Sequence, residues 1–126
     1  MPSSVVTSND DLSRFIASSF PSVWALELLL LLKRERRIWT REELISALRA
    51  SELVVSQSLE SLVAGGLASL SDEGVRYLPV SDAVGRLVDR AEELYSVKPD
   101  KVRRLIVTSS GSGITAFAEA FRLRKD

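Results

Sequence analysis

The chain has 126 residues, of which 45% are hydrophobic, and its 17 basic and 17 acidic residues give a formal net charge of zero. This length predicts one domain with enough apolar residues to bury a core. The sequence contains neither histidine nor cysteine, which excludes disulfides, thiol nucleophiles, imidazole-based triads and the usual zinc and iron–sulfur sites. Zero net charge excludes nucleic-acid binding through bulk positive charge, but it does not exclude binding through a local positive patch.

The beginning of the chain and its apolar runs predict where the protein resides. The first residues lack the basic and apolar regions of a secretory signal. The longest apolar run, Leu28 to Leu32, is followed by a basic stretch and is far shorter than the roughly 18 residues of a membrane span. We therefore expect a soluble, cytoplasmic protein. Nothing in the sequence resembles a catalytic site, so we expect no enzymatic activity, no cofactor and no metal.

Two helices are predicted at the start of the chain. The polar residues at 8–11 offer N-caps for an amphipathic helix over about 10–19. Pro21 fits the first turn of a second helix, because the amide that proline lacks would be unpaired there. From residue 23 to residue 32 this second helix is apolar nearly all round, and only Glu27 interrupts it. Such a helix is expected at the centre of the domain, covered on several sides.

A short β-prone piece and two capped helices come next. Residues 37–39 are β-prone, and Thr40 with Glu43 forms the pattern of a capping box. The helix that this box opens should end near Ala50. A serine can then cap the following helix over about 52–64, which a pair of glycines ends.

The remaining chain predicts a hairpin and further helices. Two β-compatible runs at 67–70 and 75–78 surround a short Asp/Gly turn, which indicates a β-hairpin. A serine caps a helix over about 82–96, and a proline at 99 opens another. The serine- and glycine-rich stretch 109–113 is interpreted as a flexible joint before a last amphipathic helix.

Helix, short strand, capped helix, tight turn, helix, glycine and hairpin is the element order of a winged helix-turn-helix. Residues 39–44 and 59–67, the latter with the pattern Leu-x-x-Leu-Val-x-x-Gly-Leu, resemble the winged-helix cores of MarR- and ArsR-type bacterial regulators. The resemblance covers about 23–80. It implies a mainly α fold with a small β-hairpin and extra N- and C-terminal helices. Residues 1–97 would form a winged-helix domain with an N-terminal helix and a post-wing helix, and 98–126 a helical C-terminal extension.

The leading hypothesis, implied by this resemblance, is a dimeric transcriptional regulator that binds double-stranded DNA. Helix 52–64 would lie in the major groove, where hydroxyl and amide side chains can read base edges. The candidates for base reading are Ser56, Gln57 and Ser61. The candidates for phosphate contacts are Arg36, Arg37, Thr40, Arg41 and Arg76, most of them in the basic stretch before the capped helix. The candidates for a homodimer or partner contact are Leu87, Leu94, Phe117 and Phe121.

The alternative hypothesis is a winged-helix adaptor that binds a protein and not DNA. Helix 52–64 contains no lysine or arginine, its residues Glu52 and Glu60 point outward, and the predicted hairpin tip is acidic. The C-terminal stripe of phenylalanines needs an apolar surface to cover it. The chain's own core is the first alternative, a contact across a dimer the second, and a contact with another protein the third. Trp24 and Trp39 are interpreted as packing aromatics.

Overall fold

The computed structural model describes residues 9–108 of the chain. These residues form mostly helices and one two-stranded antiparallel sheet, which confirms a mainly α fold with a small β-hairpin. The elements are α1 (Asn9–Ser19), α2 (Val23–Arg34), α3 (Arg41–Leu48), α4 (Glu52–Ala64), β1 (Ala68–Ser71), β2 (Gly74–Tyr77) and α5 (Asp82–Val97), followed by α6 at 99–108. The joint predicted at 109–113 and the partner candidates Phe117 and Phe121 lie outside the described residues.

Hydroxyl side chains fix the beginning of the helices, as the sequence predicts. The capping box of α3 is complete, because the Thr40 hydroxyl accepts a hydrogen bond from the Glu43 amide and the Glu43 carboxylate accepts one from the Thr40 amide. Ser51 caps α4 and Ser81 caps α5 in the same way, each accepting a hydrogen bond from the amide three residues ahead. These bonds satisfy amides that have no partner within the helix.

The prediction that Pro21 lies in the first turn of α2 is wrong by two positions. Ser22 is the N-cap, with extended backbone angles, and its hydroxyl accepts a hydrogen bond from the Ala25 amide at 3.3 Å. Pro21 therefore precedes the cap and forms part of the corner between α1 and α2. The physical reason is that a serine satisfies a free amide at the helix start, whereas proline only tolerates the lack of one.

Helix α2, in which most apolar side chains are buried, is the centre of the fold, as its continuous apolar sequence predicts. It packs against α3, α4 and β2. Six of its side chains have no exposed surface: Ala25, Leu26, Leu28, Leu29, Leu30 and Leu32. Each buried leucine contributes about 1.5–3 kcal/mol relative to an exposed one. The same core includes Val102 and Ile106 of α6, so the last described helix packs on the same cluster as the rest.

The corner between α1 and α2 is sharp and apolar. Phe20 is fully buried and meets Phe15 edge to face, with 5.9 Å between the ring centroids. The two helices are bent by 102° relative to each other. Within the described range, no single helix is long and apolar enough to cross a membrane; α1 and α2 reach that length and hydropathy only as this bent pair.

The hairpin is joined to the helices by a third extended piece. Strands β1 and β2 pair in register from Ala68 opposite Tyr77 to Ser71 opposite Gly74. Trp39 then pairs with Val75 through two backbone hydrogen bonds of 2.8 Å. The Trp39 side chain is buried, and its indole N–H donates to a main-chain carbonyl at the end of α2. The interpretation of Trp39 as a packing aromatic is therefore confirmed.

Trp24 does not share that environment. Its side chain is 42% exposed, so the interpretation of Trp24 as a packing aromatic is wrong. It lies in the first turn of α2, where it lines an open groove beside α4. The next two residues, Ala25 and Leu26, are fully buried, so Trp24 is exposed because of the side of α2 on which it lies.

The close approach of Gly74 to Trp39 yields a prediction about stability. Gly74 has a φ of +144°, and a Cβ placed there would lie 2.2 Å from the Trp39 carbonyl oxygen. We expect Gly74→Ala to lower the free energy of unfolding by about 2–3 kcal/mol, because it strains the backbone and breaks the bridge to Val75. Urea unfolding followed by circular dichroism measures this loss.

The matched control is Gly85→Ala in α5. A Cβ at Gly85 would meet only Pro79, at an ordinary distance of 3.5 Å. Alanine is favoured over glycine within a helix by about 1 kcal/mol, so this variant should be as stable as the wild type or more stable. Equal losses in the two variants would contradict the role given to Gly74.

Candidate functional site

The exposed side of α4 carries polar, acidic and apolar side chains but no cation. Gln57 and Glu60 are exposed, and Ser56 and Ser61 are half-buried. Leu53 lies among them with 65% of its surface exposed. The helix contains no lysine or arginine. The three base-reading candidates are thus brought to one accessible side of α4, in a surface that has no positive charge of its own.

Two of these candidates line a groove that the sequence did not predict. Gln57 and Ser61 form one wall of a groove of about 350 Å³, together with Glu60 from the same helix. The opposite wall comes from the start of α2 and includes Trp24. An exposed aromatic ring and a carboxylate that line the same groove form a suitable surface for a cationic side chain. The sequence signal for Trp24 was its place in the first helical turn, where a helix has fewer neighbours.

The hairpin extends this acidic character. Its tip residues Asp72 and Glu73 are exposed, and Leu70 on β1 is 55% exposed. Arg76 on β2 is the one cation of the hairpin sequence. We use the name acidic face for two sets of exposed residues, which are Glu52, Leu53, Gln57 and Glu60 on α4 and Asp72 and Glu73 at the hairpin tip.

Arg37, a phosphate candidate, is held within the protein. Its guanidinium donates hydrogen bonds of 3.1 Å to the Glu43 carboxylate and to the Ile38 carbonyl. It also stacks on Trp39, at 3.7 Å from the ring centroid. Hydrogen bonds from the Thr40 backbone and then from Arg37 lower the pKa of Glu43 below its usual range. Contact with a phosphate would compete with these three interactions.

Arg36 and Thr40 also have intramolecular partners. The Arg36 guanidinium donates to the Lys33 carbonyl at 3.0 Å and lies over Tyr77, 5.1 Å from the ring centroid. The Thr40 hydroxyl accepts the capping hydrogen bond of α3. To a phosphate it could therefore offer only the hydrogen bond that its own proton donates.

Arg41 and Arg76 differ from the other phosphate candidates. Both side chains are exposed, and neither has a hydrogen bond or ion pair to residues 9–108. They lie on different elements, Arg41 at the start of α3 and Arg76 on β2. These two are the candidates whose charge is available to a phosphate.

Lys33 and Arg34, the first residues of the basic stretch, bind carboxylates of α5 and hold this helix against α2. The Lys33 ammonium lies 2.6 Å from the Glu92 carboxylate and 3.1 Å from Asp89, and Arg34 lies 3.1 Å from the other oxygen of Glu92. Further along the same pair of helices, the Tyr95 hydroxyl donates to Glu27. The order of these contacts shows that α2 and α5 run antiparallel. We call Lys33, Arg34, Asp89 and Glu92 the α2–α5 ion-pair network.

Partial burial shifts the protonation equilibria of this network. The Lys33 and Glu92 side chains are only 15% and 23% exposed. The hydrogen bond to Glu92 raises the pKa of Lys33 despite its desolvation. Burial raises the pKa of Glu92, but hydrogen bonds from Lys33 and Arg34 outweigh this effect and the net pKa is lowered. The network therefore stabilises the fold from weakly acidic to alkaline pH.

The partner candidates on α5 are largely used by the chain's own core. Leu87 and Leu94 are half-buried and pack against the central cluster. Each leaves a part of its surface accessible. More exposed apolar side chains occur elsewhere, for example Val97 at the end of α5 and Leu78 after the hairpin.

The α2–α5 ion-pair network yields a pH-dependent prediction. We expect Glu92→Gln to lower the free energy of unfolding by about 1–2 kcal/mol at pH 7, because Lys33 keeps only Asp89 as an acidic partner. The lowered pKa of Glu92 adds stability above the ordinary value of 4.5, and this is lost as the pH falls through the folded-state pKa. The difference between variant and wild type should therefore shrink at pH 3.

Urea unfolding at pH 7 and at pH 3 measures both differences. The control is Asp100→Asn, which removes the exposed pair between Asp100 and Arg103 at 3.2 Å. Exposed pairs of this kind contribute about 0–0.5 kcal/mol. A loss for Glu92→Gln that is no larger than for the control, or that persists unchanged at pH 3, would contradict the assignment.

No protein family, curated protein or solved structure matches this chain. A proposal for its function therefore depends on the geometry and charge of the surfaces described above.

Proposed function

We propose that residues 23–80 form a winged helix-turn-helix module. Three features support the proposal. Residues 49–51 connect α3 to α4 in a turn as short as those of helix-turn-helix proteins. The extended residue Trp39, between α2 and α3, pairs with β2. The hairpin follows α4 directly, after a glycine with a φ of +75° that ends the helix.

We further propose that this module is a protein-interaction adaptor and that the acidic face binds a basic surface of a partner protein. The observation that carries the proposal is the charge of that face: α4 and the hairpin tip together present four carboxylates and no cation. DNA affinity comes mainly from cations that neutralise phosphates. Carboxylates in those positions repel the phosphates at distances within a Debye length, about 8 Å at physiological salt.

Apolar residues in the acidic face and beside it favour a protein as the partner. Leu53 is surrounded by polar and acidic side chains of α4, and Leu70 lies beside the hairpin tip. Protein interfaces combine such an apolar centre with a charged rim, and the charges mainly set specificity and the association rate. The expected partner surface is therefore basic at its edge and apolar in the middle.

Charge reversal at Glu60 tests the adaptor proposal. A photo-crosslinking residue at Gln57 identifies the protein that contacts α4 in cells, and calorimetry with the purified pair gives the affinity. We expect Glu60→Lys to weaken binding about tenfold or more, because it replaces an attraction to the basic partner by a repulsion. Glu93→Lys on α5 is the control, since it changes the net charge equally at an exposed site outside the acidic face. Equal affinity of Glu60→Lys and wild type would refute the proposal.

The second candidate function is DNA binding by a dimer. Arg41 and Arg76, which have no hydrogen bond or ion pair within residues 9–108, favour it. A regulator of two-fold symmetric sites requires two copies with their reading helices about one DNA turn apart. The accessible parts of Leu87 and Leu94 would contribute to such a dimer. The α4 side chains Ser56, Gln57 and Ser61 would then read bases.

Salt-dependent binding to duplex DNA decides between the two functions. If the protein is an adaptor, we expect anisotropy titrations at low salt to show no binding to a fluorescent mixed-sequence duplex. For the regulator, binding should be present, should weaken steeply with salt, and should be lost in the double variant Arg41→Glu/Arg76→Glu. The control is the double variant Arg86→Glu/Lys98→Glu, which changes the net charge equally at exposed sites. Glu60→Lys should increase DNA affinity if DNA is the ligand and should reduce partner affinity if it is not.

A further inference from the structure

Three grooves share lining residues and together define a path across the surface. The first, of about 400 Å³, lies between α1 and α6 and includes Ala17 and Thr108. The second, of about 610 Å³, shares Ala17 with the first. It shares Pro21 and Ser61 with the third, the groove of about 350 Å³ between the start of α2 and α4. The path therefore begins where the described chain ends and finishes at the acidic face.

The two ends of this path have different chemistry. The first groove has an apolar floor that includes Leu105, with the cations Lys101 and Arg104 at its edge. The third groove is bordered by the exposed ring of Trp24 and by Glu60. Glu60 has no hydrogen bond or ion pair to residues 9–108. A ligand that follows the path should thus be apolar in its first part and cationic at its end.

The sequence after Thr108 has this order. Residues 114–121 contain the apolar side chains Ile114, Phe117 and Phe121, with Glu119 as their one carboxylate. The next four residues, 122–125, read Arg-Leu-Arg-Lys. The apolar segment matches the first groove, Glu119 matches its cationic edge, and the basic segment matches Trp24 and Glu60.

The length of this segment is also sufficient. Residues 109–121 provide 13 residues between Thr108 and the basic segment. They span roughly 20 Å as a helix and roughly 43 Å when extended. A chain of about 100 residues has a radius of gyration of about 13 Å, which corresponds to a sphere roughly 34 Å across. The extended form is therefore long enough for the basic segment to reach the third groove of its own chain.

We propose that the basic segment 122–125 binds intramolecularly in the groove between Trp24 and Glu60. One of its arginines stacks on the exposed indole and pairs with the Glu60 carboxylate, while the apolar residues before it cover the first groove. The contact itself does not depend on the proposed function. If the acidic face binds a basic partner, the basic segment occupies part of that face and the partner must displace it.

The absence of cysteine permits a direct distance measurement on the full-length chain. A nitroxide is attached to the single cysteine of Asp126→Cys, and the ¹⁵N-labelled protein is observed by NMR. We expect the Trp24 indole N–H and the Gln57 side-chain amide to lose most of their intensity, because a spin label broadens nearby nuclei. Reversal of the basic segment with Arg122→Glu/Arg124→Glu should restore both signals, and so should high salt.

Two further variants make the result specific. Arg86→Glu/Lys98→Glu changes the net charge by the same amount at exposed sites outside the segment and should leave the broadening unchanged. Glu60→Lys should remove the broadening, and combining it with the reversed segment should restore part of it. The proposal is overturned if the Trp24 signal keeps its intensity in the spin-labelled protein, or if its broadening persists after reversal of the segment.

A mixed sample separates intramolecular binding from exchange between copies. It contains ¹⁵N-labelled chain without cysteine and spin-labelled chain at natural isotope abundance. No broadening is expected in this sample, and broadening at Trp24 would show that the segment binds a second copy, against the proposal. All of these measurements use the chain alone. A negative result therefore leaves the partner-binding role of the acidic face untouched, and a failure of Glu60→Lys to change partner affinity leaves the intramolecular contact untouched.

Discussion

The burial of α2 is the constraint on which the rest of the structure depends. Five leucines of this helix lose all contact with water, and they contribute about 7–15 kcal/mol by the usual measure of leucine burial. A helix that is apolar nearly all round must be covered on nearly all sides. The surrounding helices and the hairpin provide this cover, and their own polar sides are thereby directed outward. The position of the acidic face, on the outer side of α4, follows from this requirement.

The charges around α2 show how the same residue type serves different purposes. Lys33 and Arg34 continue α2 beyond its apolar part and bind the carboxylates of α5. Arg37 supports the capping box of α3 and stacks on Trp39. A basic stretch that resembles a phosphate-binding patch in the sequence is thus largely neutralised by the fold. The surface of α4 and the hairpin tip is acidic because of its own residues, and the paired cations of the basic stretch do not offset this charge. Both features favour the proposed binding of a protein.

The groove beside Trp24 illustrates how a binding surface can arise from a corner. The proline and the buried phenylalanine between α1 and α2 turn the chain sharply. In the first turn of α2, Trp24 stays partly exposed although Ala25 and Leu26 beside it are fully buried. On the other wall, α4 contributes small and acidic side chains. The result is a groove whose aromatic and carboxylate groups are suited to a cation.

The sequence by itself determined the local structure of this protein. Hydroxyl caps at Thr40, Ser51 and Ser81 and the continuous apolar run of α2 were sufficient to predict the helices and the central one among them. These signals act between residues close in the chain, so they are visible without a fold. Only the tertiary structure decided which cations are free and which aromatic ring is exposed. Lys33 and Arg41 are both cations in the same basic stretch, but the fold brings Asp89 and Glu92 to Lys33, whereas Arg41 has no hydrogen bond or ion pair within residues 9–108. The difference is not visible in the sequence, because the partners of Lys33 are distant along the chain.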